Sequence, residues 1–249
     1  HIEPLEGEKP SLTPVYEHIQ KLGIKCSFIK NYRDCIKVIN SIDNGDIVLL
    51  ENLRDHEGEK KNDKKFAKEL ASLADIYVNE AFAVSHREHA SVSAITEFIP
   101  SYAGFVFEQE IKNLSTAFNP DRPFLFILGG AKFETKLPLI EKFTGIADKV
   151  FVGGALANNF LQENGINIGK SMVSPKNFGL NKLVSTNKII LPIDATISHD
   201  KVKDIKEIQD NDVIYDTGPK TLNHIEEEIK KAKYILWNGP LGAYEQGYV

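Results

Sequence analysis

The chain has 249 residues, enough for one large or two modest domains. Hydrophobic residues make up 42% and charged residues 26%, which excludes a disordered chain, and no apolar run approaches the roughly 20 residues that span a bilayer. Net charge is -5, from 30 basic and 35 acidic residues, so neither nucleic acid nor a membrane is an expected partner.

The predicted elements alternate helix and strand. Residues 1–11 are polar, with no signal-peptide pattern, and a cytoplasmic protein is expected. Thr13 is expected to cap a helix that opens with Pro14 and ends at Leu22, where Gly23 stops it. A strand over 24–30 contains Cys26, read as a buried free thiol. Cys26 and Cys35 form no CxxC pair, and no Cys/His cluster suggests zinc. A short helix over 33–42 and a strand over 46–50 follow. Residues 62–74 form an amphipathic helix, with Phe66, Leu70 and Leu73 on one face. A strand over 75–78 runs into a loop over 79–91.

One long helix is predicted over 102–118, ended by the breaker from Asn119 to Pro123. Strands at 124–128, 149–152, 188–192 and 234–237 then alternate with helices at 134–142, 156–164 and 221–231. Crossovers of this length imply parallel strands. The expected fold is α/β: two Rossmann-like three-layer α/β/α lobes with largely parallel sheets, joined by a long connecting helix. The lobes are 1–101 and 119–249, and the connector is 102–118.

Ligands of open α/β sheets bind beyond the carboxyl ends of the strands. Three strands of the second half end in glycine: before Gly129 and Gly130, before Gly153 and Gly154, and before Asn238, Gly239, Pro240, Leu241 and Gly242. Glycine admits close approach of a ligand, and a helix start beyond it offers unpaired N–H groups to an anion. Lys132 and Lys136 share one helix face. Each glycine pair alone could simply close a turn, with the lysines solvated. The three together with the lysine pair favour a polyphosphate site. The pattern is neither GxxxxGK[ST] nor GxGxxG, which sets aside a nicotinamide oxidoreductase. In the first half, Arg54 follows one strand and His86, Arg87 and His89 follow another. They are either solvated or structural residues, or a patch for a small anion gripped by forked guanidinium donors.

Seven stretches are similar to the phosphoglycerate kinase family, bacterial type: residues 49–54 (LLENLR), 77–91 (YVNEAFAVSHREHAS), 127–136 (ILGGAKFETK), 152–161 (VGGALANNFL), 191–194 (LPID), 216–221 (DTGPKT) and 237–242 (WNGPLG). The resemblance implies transfer between 1,3-bisphosphoglycerate and ADP, with 3-phosphoglycerate, ADP or ATP, and Mg2+ as ligands of a monomeric glycolytic enzyme. The alternative is a nucleotide-binding fragment without catalysis. It implies a basic patch of Arg54, His86 and Arg87, with His1 at its edge, and catalytic roles for Arg54, Arg87, Lys132 and Lys136. Gly129, Gly130, Lys132 and Lys136 would face the nucleotide phosphates. Gly153 and Gly154 would wall the adenine pocket, Asn238, Pro240 and Gly242 would continue the site, and Glu245 would reach the ribose. Departures are the HLGRP arginine, absent from residues 1–5, Asp55 in place of Phe and Glu80 in place of Asp. The family's DFNVP and GGGD[ST] segments are also absent, so the chain reads as truncated at both ends, with the magnesium aspartate beyond Val249.

Overall fold

The computed structural model describes Ile2, residues 10–198 and residues 201–248. The chain divides into two compact units, His1–Asn113 and Leu114–Val249.

In the first unit, α1 (Thr13–Lys21) is not capped by Thr13, which lies inside the helix. The N-cap is Leu12, without a side-chain cap; just before it, the Ser11 hydroxyl accepts from the Thr13 amide at 3.1 Å and donates to Glu51 at 2.6 Å. The other Glu51 oxygen accepts from the Leu12 amide at 2.7 Å. The carboxylate thus ties the start of α1 to the end of a strand. That strand, β2 (Ile47–Leu50), pairs in parallel with β1 (Cys26–Ile29) through the connecting α2 (Cys35–Ile39). The helix expected over 33–42 is cut short because Asn31 accepts from the Arg33 amide and opens a 3-10 turn first. Both cysteines are buried free thiols, and burial pushes the Cys35 thiol up.

A short α3 (Glu57–Lys60) leads to α4 (Lys64–Ala71). The Asp63 carboxylate accepts from the Phe66 amide at 2.7 Å and caps α4. Its apolar stripe of Phe66, Ala67, Leu70 and Ala71 packs on Ala90, Ala94, Ile95 and Ile99 to form this unit's core. Strand β3 (Tyr77–Asn79) pairs in parallel with β4 (Ser101–Ala103). The helix expected from Tyr102 therefore begins later, as α5 (Phe105–Ser115). Tyr102 is drawn into β4 opposite Val78, and Glu80 accepts from the Phe107 amide at 3.0 Å in the first turn of α5. Local propensity lost here to a nonlocal strand pairing.

The second unit holds a four-stranded parallel sheet. Its members are β5 (Phe124–Leu128), β6 (Lys149–Val152), β7 (Ile189–Ile190) and β11 (Tyr234–Asn238), in the order β11-β5-β6-β7. Alternate residues of β5 face opposite ways, as a strand requires. Phe124, Phe126 and Leu128 pack with Phe133 and Ile140 of α6 (Phe133–Ile146), and with Leu156 and Phe160 of α7 (Gly154–Glu163). Leu125 and Ile127 pack with Phe151 and with Ile225 of α9 (Pro219–Lys231). This is a three-layer α/β/α arrangement. Helix α8 (Asn181–Val184) is a single turn before β7.

The strand expected over 188–192 keeps only its two central residues. Beyond it lies an element the sequence pattern did not reveal, an antiparallel sheet in the order β10-β8-β9, from β8 (Asp194–Ser198), β9 (Lys201–Asp204) and β10 (Asp216–Thr217). Ala195 and Ile197 of β8, with Ile205 and Ile208 from the 3-10 turn after β9, pack on Leu161 and Ile168. Among the described residues, no helix is long and apolar enough to cross a membrane.

Candidate active site

In the second unit the chain leaves β5 toward β6 on one side, and β11 returns on the other. The strand order reverses there, which is where open α/β sheets hold ligands. A cavity of about 460 Å³ opens at the carboxyl ends of these strands. Its floor includes Gly130, Lys132, Gly154, Pro240, Gly242 and Glu245. The helices α6 and α7 both start at this floor, and neither start has a side-chain cap. Their first-turn amides and dipoles favour an anion.

The strand-end glycines do two different jobs. A Cβ on Gly129 would lie 2.0 Å from the Pro240 carbonyl oxygen, so the turns after β5 and β11 pack backbone to backbone. Gly153 is packed instead against the Leu241 and Phe151 side chains; both glycines are buried, and neither lines the cavity. Gly154 does line it, and its φ of +61° places it in the left-handed region that glycine tolerates best.

The two lysines also separate. Lys132 stands at the N-cap of α6 and lines the cavity. Lys136 lies one turn on, outside the lining, and its Nζ donates to Asn238 Oδ1 at 2.5 Å. That bond joins α6 to the end of β11. Glu245 reaches the rim beside Tyr244, and the hydrogen bond between them pushes the Tyr244 phenol up.

The far wall comes from the segment before α9, with Tyr215, Asp216 and Thr217, and from Asn158 and Met172. Sequence reasoning gave none of these a role, although residues 216–221 had been singled out as a motif. The Asp216 carboxylate accepts from the Thr217 amide at 2.7 Å. A Cβ on Gly242 would meet that carboxylate at 2.4 Å, so the two positions constrain each other. Behind the wall, the Tyr215 ring stacks on Tyr248, with centroids 4.7 Å apart and planes 4° from parallel. The LPID and DTGPKT stretches meet in one network: buried Asp194 accepts from the Lys220 and Thr221 amides and from the Thr221 hydroxyl, so it caps α9.

In the first unit, Arg54 lies half-buried in the 3-10 turn Leu53–Asp55, directly after β2. Buried Asn52 opens that turn and also exchanges two hydrogen bonds with the Ile2 backbone, at 2.8 and 3.2 Å. His1 lies outside the described residues. Arg87 is half-buried in the loop after β3, and His86 beside it is exposed. Arg87 Nη1 is buried, with no hydrogen-bond partner among the described residues. The Arg87 loop is tied to the segment after Arg54, because the Glu59 side chain accepts from both the amide and the hydroxyl of Ser91. Among the described residues, no group of three His, Cys, Asp or Glu side chains could hold a metal ion.

Comparison with known proteins follows this geometry. The family model described as phosphoglycerate kinase matches residues 1–248. A phosphoglycerate kinase of Wolbachia pipientis subsp. Culex pipiens is 44% identical over 253 residues, covering 94% of this chain and 63% of the relative. One from Pseudothermotoga lettingae is 39% identical, covering 95% of this chain and 64% of the relative. The structure of phosphoglycerate kinase from Coxiella burnetii superposes with a TM-score of 0.76 at 32% identity, covering 98% of this chain and 66% of that one. That of the Pyrococcus horikoshii enzyme gives 0.80 at 25%, covering 98% and 68%. The chain thus spans somewhat under two thirds of the length of these curated relatives, and over that span it belongs to the phosphoglycerate kinase family.

Proposed function

We propose that the protein catalyses reversible phosphoryl transfer between 1,3-bisphosphoglycerate and ADP, giving 3-phosphoglycerate and ATP. One observation carries the reading: a cavity at the reversal of strand order, with two uncapped helix starts and Lys132 at its floor. ADP occupies this cavity. Its phosphates face Gly130 and Lys132, with Gly129 in the turn behind them and Lys136 one helical turn on, bonded to Asn238. Its base lies against Gly154, with Gly153 buried behind it, and its ribose reaches Glu245, with Pro240 and Gly242 completing the lining. The phosphorylated acid is held by Arg54, His86 and Arg87, with His1 at the edge.

The acyl phosphate already carries the free energy of transfer, so no protein nucleophile is required. A β-phosphate oxygen of ADP attacks the phosphorus. The bond from phosphorus to the acyl oxygen breaks, and the carboxylate leaves. Lys132, Lys136, Arg54 and Arg87 offset charge on the transferring group and its neighbours, and alignment supplies much of the remaining acceleration. The half-sites are assigned to different units, so a hinge closure is required. Mg2+, when bound with the nucleotide, would offset the charge of its phosphates; among the described residues no group of three His, Cys, Asp or Glu side chains would hold it. The sparse, free cysteines are in keeping with a cytoplasmic protein.

The test is ADP formation from ATP, Mg2+ and 3-phosphoglycerate by this chain, beside an ADP titration. Turnover that requires both substrates is expected. ADP binding without turnover identifies a non-catalytic nucleotide-binding member of the fold. Absence of ADP binding removes the reading of the cavity.

A further inference from the structure

We propose that Glu59 is the positioning residue of the first unit's anion site, holding the Arg87 loop against the segment that carries Arg54. The inference rests on the reading of the two arginines as substrate groups.

Glu59 is fully buried, although it is a carboxylate. Burying such a group is costly unless its oxygens are satisfied. Three of its contacts run to one place. Oε2 accepts from the Ser91 amide at 3.0 Å, and Oε1 accepts from the Ser91 hydroxyl at 2.7 Å. The Glu59 backbone carbonyl accepts from the Ala90 amide at 3.0 Å. His89 Nδ1 lies 3.9 Å from Oε1. All three partners fall within four positions after Arg87, and Glu59 itself follows Arg54 by five. One side chain therefore joins the two arginine-bearing segments.

The unpartnered Nη1 of Arg87 gives this clamp a purpose. A buried donor without an acceptor is unfavourable, and an unrestrained loop would turn it toward water. Among the described residues Arg87 makes no side-chain bond that prevents this, and the bonds to Glu59 hold the loop. The result is a guanidinium held ready for an incoming carboxylate or phosphate, with its reorganisation already made. A second tie keeps the unit together without the clamp: Asn62 Oδ1 accepts from the Ala94 amide at 3.1 Å, and the α4 core lies beyond it.

The experiment is calorimetric titration of the chain with 3-phosphoglycerate and, separately, with ADP. It compares the parent with Arg87→Ala, Glu59→Gln, Ser91→Ala and Ser91→Thr, below each variant's unfolding temperature. Ser91→Ala is expected to weaken 3-phosphoglycerate about three- to tenfold, the equivalent of one hydrogen bond, and Glu59→Gln at least as much. ADP affinity is expected to be unchanged. Ser91→Thr, which keeps the hydroxyl, is expected to restore acid binding. If Arg87→Ala abolishes acid binding while Glu59→Gln and Ser91→Ala bind like the parent, the positioning role is wrong and the arginine reading stands. If the parent does not bind the acid, or Arg87→Ala binds it equally well, both fall. If both ligands weaken together, Glu59 is a general stabiliser and the proposal is overturned. Should Glu59→Gln fail to fold, the two Ser91 variants decide.

Discussion

At the level of single residues, the nucleotide site depends on a small number of groups that local sequence could identify and on others that it could not. Lys132 was visible because it follows a strand, two glycines and an alanine, a spacing that places a cation at a helix start. Lys136 was legible as its neighbour on the helix, but not as the donor to Asn238, 102 positions away. Tyr215 carried no local signal, and Asp216 was legible only as the start of the DTGPKT stretch and not as cavity lining, because both reach the cavity through antiparallel pairing around β10 and β8. A charged donor to phosphate is worth about 1.5–3 kcal/mol. Lys132→Ala should therefore lower ADP affinity about ten- to a hundredfold in calorimetry, and should lower kcat further than it raises KM for ATP. An unchanged kcat would remove Lys132 from transition-state stabilisation.

The elements depend on carboxylates that tie one segment to another. Asp194 lies at the start of β8 yet caps α9, through the Lys220 and Thr221 amides. Asp194→Ala should cost about 1–2 kcal/mol as a lost cap, measured by urea unfolding, with most loss of protection from hydrogen exchange in α9. A variant as stable as the parent would show that α9 is held by Ile225 packing alone. Glu51 joins α1 to β2 in the same manner. Burial pushes its carboxyl up, but hydrogen bonds from Ser11, Leu12 and Asn52 outweigh burial and leave it below the ordinary value. A folded value below the unfolded one, about 4.3, adds stability that is present above that pH. It is lost as pH falls through the depressed value. Glu51→Gln should thus be less stable than the parent at neutral pH, with the difference shrinking as pH falls below about 4.3, the unfolded value. A constant difference across that window would mean that the carboxylate charge is not what matters. Helix α5 shows the limit of reading elements locally. Its apolar stretch was legible, but its start was not, since Tyr102 pairs across to Val78 and Glu80 binds the Phe107 amide.

Over the whole molecule, the two units divide the assigned ligands between them. ADP should slow amide exchange at 129–132, at the start of α7 and at 241–245, and leave the core of α4 as it was. 3-Phosphoglycerate should do the reverse, slowing exchange in the loop 85–91. Uniform protection by either ligand would contradict separate half-sites. By itself, the amino-acid sequence determined the α/β class, the parallel core strands, the family and the glycine turns. Those features are written in short-range periodicity and spacing, which act through residues close in the chain. Tertiary structure alone decided the antiparallel sheet that walls the cavity, the split between lining and packing glycines, and the Glu59 clamp on the Arg87 loop. The reason is that each of these depends on partners tens of residues apart, whose meeting is set by how the layers pack and not by any local preference.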